Sequence, residues 1–332
     1  MTMMSVLALH VSTLQTGDVT VDTAPTVSHS SLRRWWAMLP LLIGILIGAL
    51  AISSVATALP AIRSELYFND TEMLWFVDIY SLTLAATLIL AARIGDAFGR
   101  KRIILIGLAG FAVLNAIGGI ATSGLLLIIV RALLGTAEAF VIAGVVATIG
   151  AHYQARQRVL AYGLWTATFG AGSALGPVVG GLLADGPGWR WLLLGAVPLS
   201  VLAAVLTIWL VPDSRAARAQ AWDIPSIVTS MVALGALVYA LHEALASPLT
   251  AGVAGSVAVG GLIFFVARQR RLEDPLIDVG LFAMPGFSTA ITRIIISSGA
   301  SAASVVLVSL HLQDVVGMSA AEAGSPRSAH RG

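Results

Sequence analysis

Stretches of about twenty apolar residues, separated by short polar connections, fill the chain from residue 35 onwards. A helix needs about 20 such residues to cross roughly 30 Å of hydrocarbon, so the pattern predicts nine membrane-spanning helices. The predicted segments are 35–58, 72–92, 103–122, 125–147, 159–183, 191–211, 224–244, 250–268 and 286–312. Pro60 is expected to end the first of them, because proline interrupts the hydrogen bonds of a helix. The predicted fold class is therefore an all-α membrane protein.

Composition agrees with this pattern. Hydrophobic residues make up 58% of the chain and charged residues 11%, and the mean hydropathy is +0.91. A soluble domain is about 25% charged, so this chain cannot cover itself with a surface that faces water. It contains no cysteine, which excludes disulfides and thiolate metal sites. The net charge of +2 comes from residues scattered among short connections, so nucleic acid is not an expected partner; membrane lipid is.

Basic residues concentrate in alternate connections between the segments. Connections with residues 93–102, 156–158, 215–218 and 268–271 are rich in arginine, whereas the opposite connections hold only Arg63 and Arg190. Arginine and lysine mark cytoplasmic connections, so the rich side and the amino terminus are predicted to be cytoplasmic. Residues 1–32 are predicted to be a disordered cytoplasmic tail. Residues 325–332 are polar, which is typical of an aberrant end produced by truncation or a frameshift.

The connection between the second and third segments reads Gly95-Asp96-Ala97-Phe98-Gly99-Arg100-Lys101-Arg102. The two glycines, four apart, share a helix face and permit close approach of another backbone. A positively charged turn would explain the charge but not the order of residues. That order resembles motif A of the major facilitator superfamily, with Ala97 and Phe98 as its departure. The resemblance implies a gating role for Gly95, Asp96, Gly99, Arg100, Lys101 and Arg102.

The fifth segment carries a stripe of small residues at Gly172, Gly176 and Gly180, with Pro177 and Gly181 beside it. Helix packing alone would explain the glycines. With the Gly-Pro pair in register, the stretch resembles motif C, the antiporter motif of exporters in the same superfamily. The resemblance implies transport outwards across the membrane.

Two ionisable residues lie inside the fourth segment. Arg131, with Gly135, resembles motif B of the superfamily, and Glu138 follows two helical turns later on the same face. Charged side chains within a membrane helix need a partner or a cavity. Asp78 lies about as deep in the second segment, so an Asp78–Arg131 ion pair is predicted. Asp78, Arg131 and Glu138 are together the predicted relay for protons and charge; a silent polar pair within the helix is the alternative.

The second segment also contains Trp75, Asp78 and Tyr80 in a W-x-x-D-x-Y-x-L pattern. This pattern resembles the fourteen-helix drug:H⁺ antiporter branch, especially its methyl viologen and quaternary ammonium exporters. In that branch the first helix commonly has an acidic residue where this chain has Ala51. Trp75, Tyr80 and Trp165 are predicted to line a cavity for aromatic cations, with lipid contact as the alternative for the tryptophans.

The resemblance implies a major facilitator fold, of which this chain has the first nine helices and lacks the last five. The expected organisation is a six-helix half at 33–211, an inserted helix pair at 212–268 and the start of the second half at 269–324. Residues 325–332 then form the polar tail.

The expected function is proton-coupled export of lipophilic or quaternary ammonium cations from the bacterial inner membrane, hence antibiotic resistance, without cofactor or metal and with no required oligomer. A transport-inactive truncated piece of such an exporter and an exporter of another small solute are the alternatives. A membrane-embedded enzyme is disfavoured, because the sequence shows neither a metal-ligand cluster nor a nucleophile paired with a base.

Overall fold

A computed structural model describes residues 34–215, 223–244, 247–273 and 275–314. The chain divides into two compact units, with the division between Trp36 and Ala37, and the helices labelled below belong to the second unit. The predicted tails at 1–32 and 325–332 lie outside the described residues.

Every long element of the described residues is an α-helix. The helices are α1 (Met38–Ser53), α2 (Val55–Leu66), α3 (Asp70–Phe98), α4 (Arg100–Gly119), α5 (Gly124–His152), α6 (Ala155–Asp185), α7 (Arg190–Leu194), α8 (Ala196–Leu210), α9 (Ile224–Glu243), α10 (Pro248–Gln269) and α11 (Pro285–Asp314). Within the described residues, eight helical stretches are long and apolar enough to cross a membrane. The 30-residue helix α11 follows them. This confirms an all-α membrane protein with about nine long helices.

Local sequence explains where the central helices begin. At the start of α3 the side chain of Asn69 accepts from the backbone N–H of Glu72 at 2.8 Å, and the Glu72 carboxylate accepts from the N–H of Asn69 at 3.0 Å. This reciprocal capping box satisfies two donors that a helix otherwise leaves unpaired. Ser123 caps α5 in the simpler way, by accepting from the N–H of Leu126 at 3.3 Å.

The expectation that Pro60 ends the first helix was wrong. The chain is helical through Pro60 as far as Leu66, and the interruption lies earlier, at Ser54 between α1 and α2. Ser54 itself keeps helical dihedral angles and its N–H donates to the carbonyl oxygen of Leu50. Pro60 is the sixth residue of α2, where it removes one helical hydrogen bond near the start of the element.

The first eight helices pack into a bundle. Helix α1 packs on α6 and α8, helix α4 on α5 and α8, and helix α3 on α5. Aromatic and aliphatic side chains fill the centre of this bundle, among them Phe76, Tyr80, Phe111, Leu127 and Trp189. Helices α9 and α10 pack on each other, and α9 also packs on α3. The bundle therefore surrounds the middle of α5, the helix that carries Arg131 and Glu138.

The end of the α9–α10 pair is closed by an ion pair. Arg268 donates to both carboxylate oxygens of Asp223, with Nη2–Oδ1 at 2.7 Å and Nε–Oδ2 at 3.0 Å. Ser226 donates a hydrogen bond to the same carboxylate. The Arg268 hydrogen bonds, and then that of Ser226, hold the pKa of Asp223 below its usual value. The pair thus keeps its charge throughout the neutral range and joins the start of α9 to the end of α10.

Candidate functional site

The motif A residues Gly95 to Arg102 span the end of α3, the turn and the start of α4. The turn itself is the single residue Gly99. Helix α3 runs six residues beyond its predicted end, to Phe98, and α4 begins at Arg100. Gly99 between them has φ +115°, a backbone conformation that glycine adopts readily, and its N–H donates to the carbonyl oxygen of Gly95 at 2.9 Å. The two helices therefore reverse direction with no flexible loop.

The last turn of α8 and the residues that follow it lie against this turn. The backbone N–H of Arg100 donates to the carbonyl oxygen of Ser214 at 3.0 Å, and Lys101 Nζ donates to the carbonyl oxygen of Ile208 at 2.6 Å. Asp213 also lies beside Gly99, since a methyl group there would meet its Oδ1 at 3.3 Å. The α3–α4 turn is thus attached to the end of α8.

The two charges inside the turn form a loose pair. Arg100 Nη2 lies 3.8 Å from Asp96 Oδ1, one helical turn away. Arg102 is exposed. Gly95 is buried, and a methyl group there would meet the side chain of Ile103. Gly95, Asp96, Gly99, Arg100 and Lys101 therefore come together at one turn, and Arg102 faces away from it.

A segment beyond α10 reaches the same end of the bundle. Arg93, two residues before Gly95, donates through Nη2 to the carbonyl oxygen of Pro275 at 3.0 Å. The next backbone N–H, at Leu276, donates to the side chain of the buried Gln269 at 2.5 Å. This segment consequently connects the α9–α10 pair to α3 at Arg93, near the end of that helix.

The small-residue stripe of α6 faces the break between α1 and α2. A methyl group at Gly172 would lie 2.7 Å from Ala49 Cβ, and one at Gly176 would lie 3.0 Å from the Ser54 N atom as well as in the Ser53 side chain. A methyl group at Gly180 would overlap the Ser54 carbonyl oxygen and Thr57. The motif C glycines therefore set the distance between α6 and the α1–α2 break.

Gly181 does not share that contact. Among the described residues, no atom outside the neighbouring backbone of α6 lies within 4 Å of the position that a methyl group at Gly181 would occupy. Pro177 lies inside α6, which stays helical from Ala155 to Asp185. The predicted motif thus divides into a packed stripe of three glycines and two residues beside it.

Arg131 lies at the centre of the bundle. The residue is 2% exposed, and its Nη1 donates to the carbonyl oxygen of Ala51 at 2.9 Å. Its Nε donates to the carbonyl oxygen of Phe76 at 3.4 Å. The guanidinium carbon also lies 4.5 Å from the ring centroid of Tyr80 and 5.4 Å from that of Phe76, within the range of cation–π attraction.

The predicted Asp78–Arg131 ion pair is not formed in this structure. Phe76 and Tyr80, four residues apart, present one face of α3 to Arg131. Asp78 lies two residues from each, about 200° around a helix of 3.6 residues per turn, and is therefore on the opposite face, where it is half-buried. Equal depth in the membrane did not imply a shared face.

Glu138 is also 2% exposed. Its carboxyl group occupies the space beside Gly48 of α1, where any methyl group would overlap it. Among the described residues the carboxyl group makes no hydrogen bond and no ion pair, and the hydroxyl of the completely buried Tyr80 likewise has no partner. Tyr80 is close enough to both Glu138 and Arg131 for electrostatic interaction.

Two further residues of this centre were not predicted. Thr83 Oγ1 donates to the carbonyl oxygen of Ala132 at 2.7 Å, which ties α3 to α5 one turn from Tyr80. Gly48 supplies the space for Glu138. The signal for Gly48 was in the sequence, because Gly44 and Gly48 repeat the four-residue spacing of the α6 stripe.

The aromatic residues predicted to line a cavity lie in three different surroundings. Trp75 stacks on Tyr239 of α9, with ring centroids 5.7 Å apart and an angle of 23° between the planes. Tyr80 is completely buried beneath Arg131 and so does not line an open cavity here. The indole nitrogen of Trp165 is buried and has no hydrogen-bond partner among the described residues. The structure does not bring these three side chains together.

Within the part of the chain that the structure describes, no three His, Asp or Glu side chains gather as metal ligands. The ionisable groups of the centre are Arg131, Glu138 and Tyr80. Groups of this kind can bind and release a proton or face a charged solute.

Comparison with known proteins places these features in a family. The model of the Major Facilitator Superfamily matches residues 41–324. The multidrug efflux pump LfrA of Mycolicibacterium smegmatis is 37% identical over 92% of this chain and 61% of its own length. The tetracenomycin C resistance and export protein of Streptomyces glaucescens is 31% identical over 88% of this chain and 55% of its own length. The chain thus spans less than two thirds of these curated relatives.

A solved structure gives the same fold. The peptide transporter POT in complex with sulfate superimposes with a TM-score of 0.56, over 87% of this chain and 64% of that one, at 16% sequence identity. At this identity the likeness concerns the fold alone.

Proposed function

The chain belongs to the Major Facilitator Superfamily, within its drug-efflux branch, and on that premise we propose that it exports lipophilic or quaternary ammonium cations in exchange for protons. Transport proceeds by alternating access, in which the two sides of the bundle open in turn around a central site. The protein lies in the bacterial cytoplasmic membrane with its amino terminus in the cytoplasm.

The observation that carries the proposal is a pair of ionisable side chains in the middle of a bundle of spanning helices. Arg131 and Glu138 are each 2% exposed. Such residues are costly within a membrane and mark proton or solute pathways. The names of the relatives, a multidrug efflux pump and an antibiotic export protein, support export of a drug over uptake of a nutrient.

The proposed relay consists of Asp78, Arg131 and Glu138. Arg131 is fixed by two carbonyl oxygens, Glu138 has no such partner among the described residues, and Asp78 lies on the other face of α3. Arg131 keeps its charge while a carboxyl group exchanges its proton. The net charge at the centre then differs between the protein with the proton bound and the protein without it. This difference lets proton and drug bind in turn.

Two surfaces carry the motion. The α3–α4 turn is held to residues 208–215 by the Lys101 and Arg100 hydrogen bonds, so its release opens the end of the bundle rich in arginine. The glycine stripe of α6 permits α6 to tilt on the α1–α2 break, because no side chain of the stripe interlocks there.

Efflux of ethidium from intact bacteria tests the proposal. Cells that lack their own drug exporters and produce the full chain should lose ethidium faster than cells with an empty vector, and a proton uncoupler should abolish the difference. Insertion of the chain in the membrane is verified on the same cells. Absence of efflux despite insertion would favour the transport-inactive alternative. Efflux that survives the uncoupler would rule out proton exchange.

A further inference from the structure

Glu138 lies at the exact middle of its helix. It is fourteen residues from Gly124 and fourteen from His152, the two ends of the 29-residue helix α5. At 1.5 Å per residue that is about 21 Å from either end. Whichever end faces the cytoplasm, the carboxyl group is therefore at the depth where transporters of this kind place their coupling-ion sites.

Its surroundings leave the carboxyl group without a donor. The space beside Gly48 holds it, and among the described residues no hydrogen bond or ion pair reaches it. An ionised carboxylate buried in this way would cost far more free energy than the neutral acid. The neutral carboxylic acid is therefore the form that these surroundings accommodate at the lower cost.

Charged groups on the packed helices do not offset this cost. Helix α1 has no titratable side chain, and α4 has its three basic residues in its first turn. Helix α6 has its charged residues in its first and last turns. Asp78 is on the far face of α3. The groups that remain near Glu138 are the Tyr80 hydroxyl and, two turns along α5, the guanidinium of Arg131.

The same surroundings distinguish a proton from a metal cation. Ca²⁺ and Mg²⁺ take about six oxygen ligands or more, whereas the described residues offer one carboxyl group and one phenol. Arg131 adds a fixed positive charge that interacts with Tyr80 and disfavours a second cation. A proton needs only the carboxyl oxygen itself.

We propose that Glu138 is the proton-binding residue of the transport cycle, that Tyr80 is its positioning residue, and that the Gly48 contact between α1 and α5 controls access to it. This inference rests on the proposed function. When α1 moves from α5, water enters, the carboxyl O–H bond breaks, the proton passes to water, and the carboxylate accepts a hydrogen bond from the Tyr80 hydroxyl. Closure of the contact reverses these steps.

Infrared spectroscopy of the purified full chain in lipid vesicles tests the assignment directly. A protonated carboxyl group absorbs apart from ionised carboxylates, so the wild-type protein should show its band at neutral pH. The band should be absent in Glu138→Gln and present in Asp78→Asn. Tyr80→Phe should keep the band and change its dependence on pH, because the carboxylate has lost its donor.

Two glycine substitutions test the access contact. Gly48→Ala should displace the Glu138 carboxyl group and shift the band, since the methyl group takes its space. Gly44→Ala, one turn earlier in α1, meets the side chain of Val141 at 3.1 Å instead and should leave the band unchanged. Equal spectra for the two variants would overturn the role of Gly48.

A band that persists in Glu138→Gln, or vanishes in Asp78→Asn, would overturn the assignment to Glu138. Glutamine has nearly the shape of the neutral acid, and equal helix content with equal thermal unfolding verifies that this variant is folded.

Ethidium efflux distinguishes a failure of the proton site from a failure of the transport function. If the band belongs to Glu138 but wild-type cells export no ethidium, the transport function fails and the proton site stands. If Glu138→Gln keeps uncoupler-sensitive efflux, the transport function stands and the proton site at Glu138 fails.

Discussion

Arg131 illustrates how a buried cation is accommodated here without a carboxylate partner among the described residues. Two helices contribute one backbone carbonyl each, from Ala51 and Phe76, and two aromatic rings cover the guanidinium. A guanidinium has several N–H donors in a fixed planar arrangement, so it can serve two acceptors at once. Arg131, a residue of α5, thereby joins its own helix to α3 and to the end of α1.

Substitution of Arg131 by lysine should weaken this junction. A single ammonium group cannot replace the forked contacts, and one buried carbonyl oxygen is left unsatisfied at a cost of about 1–3 kcal/mol. Thermal unfolding of the purified protein in detergent measures the loss. Arg156→Lys, at an exposed arginine in the first turn of α6, is the control and should change stability by less than about 0.5 kcal/mol. Equal stability of the two variants would show that the carbonyl contacts contribute nothing.

At the scale of elements, α6 and the α1–α2 break are in backbone contact along one line. Gly172, Gly176 and Gly180 all face Ala49, Ser53, Ser54 or Thr57. Ser53 Oγ additionally donates to the carbonyl oxygen of Gly172 at 3.4 Å. Within lipid, helices associate through such close packing because burial from water supplies no driving force.

Alanine substitutions in α6 should separate this contact from helix propensity. Gly176→Ala should destabilise the protein by about 1–3 kcal/mol, since the new methyl group overlaps Ser53. Gly181→Ala meets no atom within 4 Å and should be neutral or stabilising by up to about 1 kcal/mol, because alanine favours a helix over glycine. Thermal unfolding of both variants gives the comparison. A loss of the same size at both positions would contradict the packed stripe.

At the scale of the whole molecule, the described residues form the bundle of α1 to α8 with an attached helix pair, α9 and α10. The pair is joined to the bundle in two ways. Helix α9 packs on α3, and the residues after α10 make hydrogen bonds to both parts, Leu276 to Gln269 of α10 and Pro275 to Arg93 of α3. Arginine is concentrated in alternate connections between the spans. Positive charge of this kind predicts which end faces the cytoplasm.

The absence of cysteine makes this orientation simple to measure. Thr71→Cys and Ala97→Cys introduce exposed thiols at the two ends of α3, which must lie on opposite sides of the membrane. In intact cells a membrane-impermeant maleimide should label Thr71→Cys and leave Ala97→Cys unlabelled, and lysis should make both reactive. Labelling in the opposite order would reverse the orientation.

The fold class, the spans and the motifs could be predicted from the amino-acid sequence. Apolar runs predict spanning helices because a bilayer leaves no alternative for backbone polar groups, and nearly every predicted segment coincides with a helix. Local chemistry also predicts starts such as the Asn69–Glu72 capping box. The motif A and motif C patterns were visible as spacings of glycine, proline and basic residues. Two features were not predicted from the sequence: the helix continues through Pro60, and α3 continues to Phe98. Both depend on single hydrogen bonds at the ends of the helices.

Which helix faces meet could not be predicted and became visible in the packing of the helices. A membrane helix is apolar on its lipid side and on its protein side alike, so hydropathy does not reveal which side is buried. Asp78 and Tyr80 are two residues apart, yet only Tyr80 lies at Arg131. Gly48 and Glu138 are far apart in the chain, yet the missing side chain of one provides the space for the carboxyl group of the other. Packing buried Glu138 where no partner reaches it among the described residues, which is the physical basis for its proposed role.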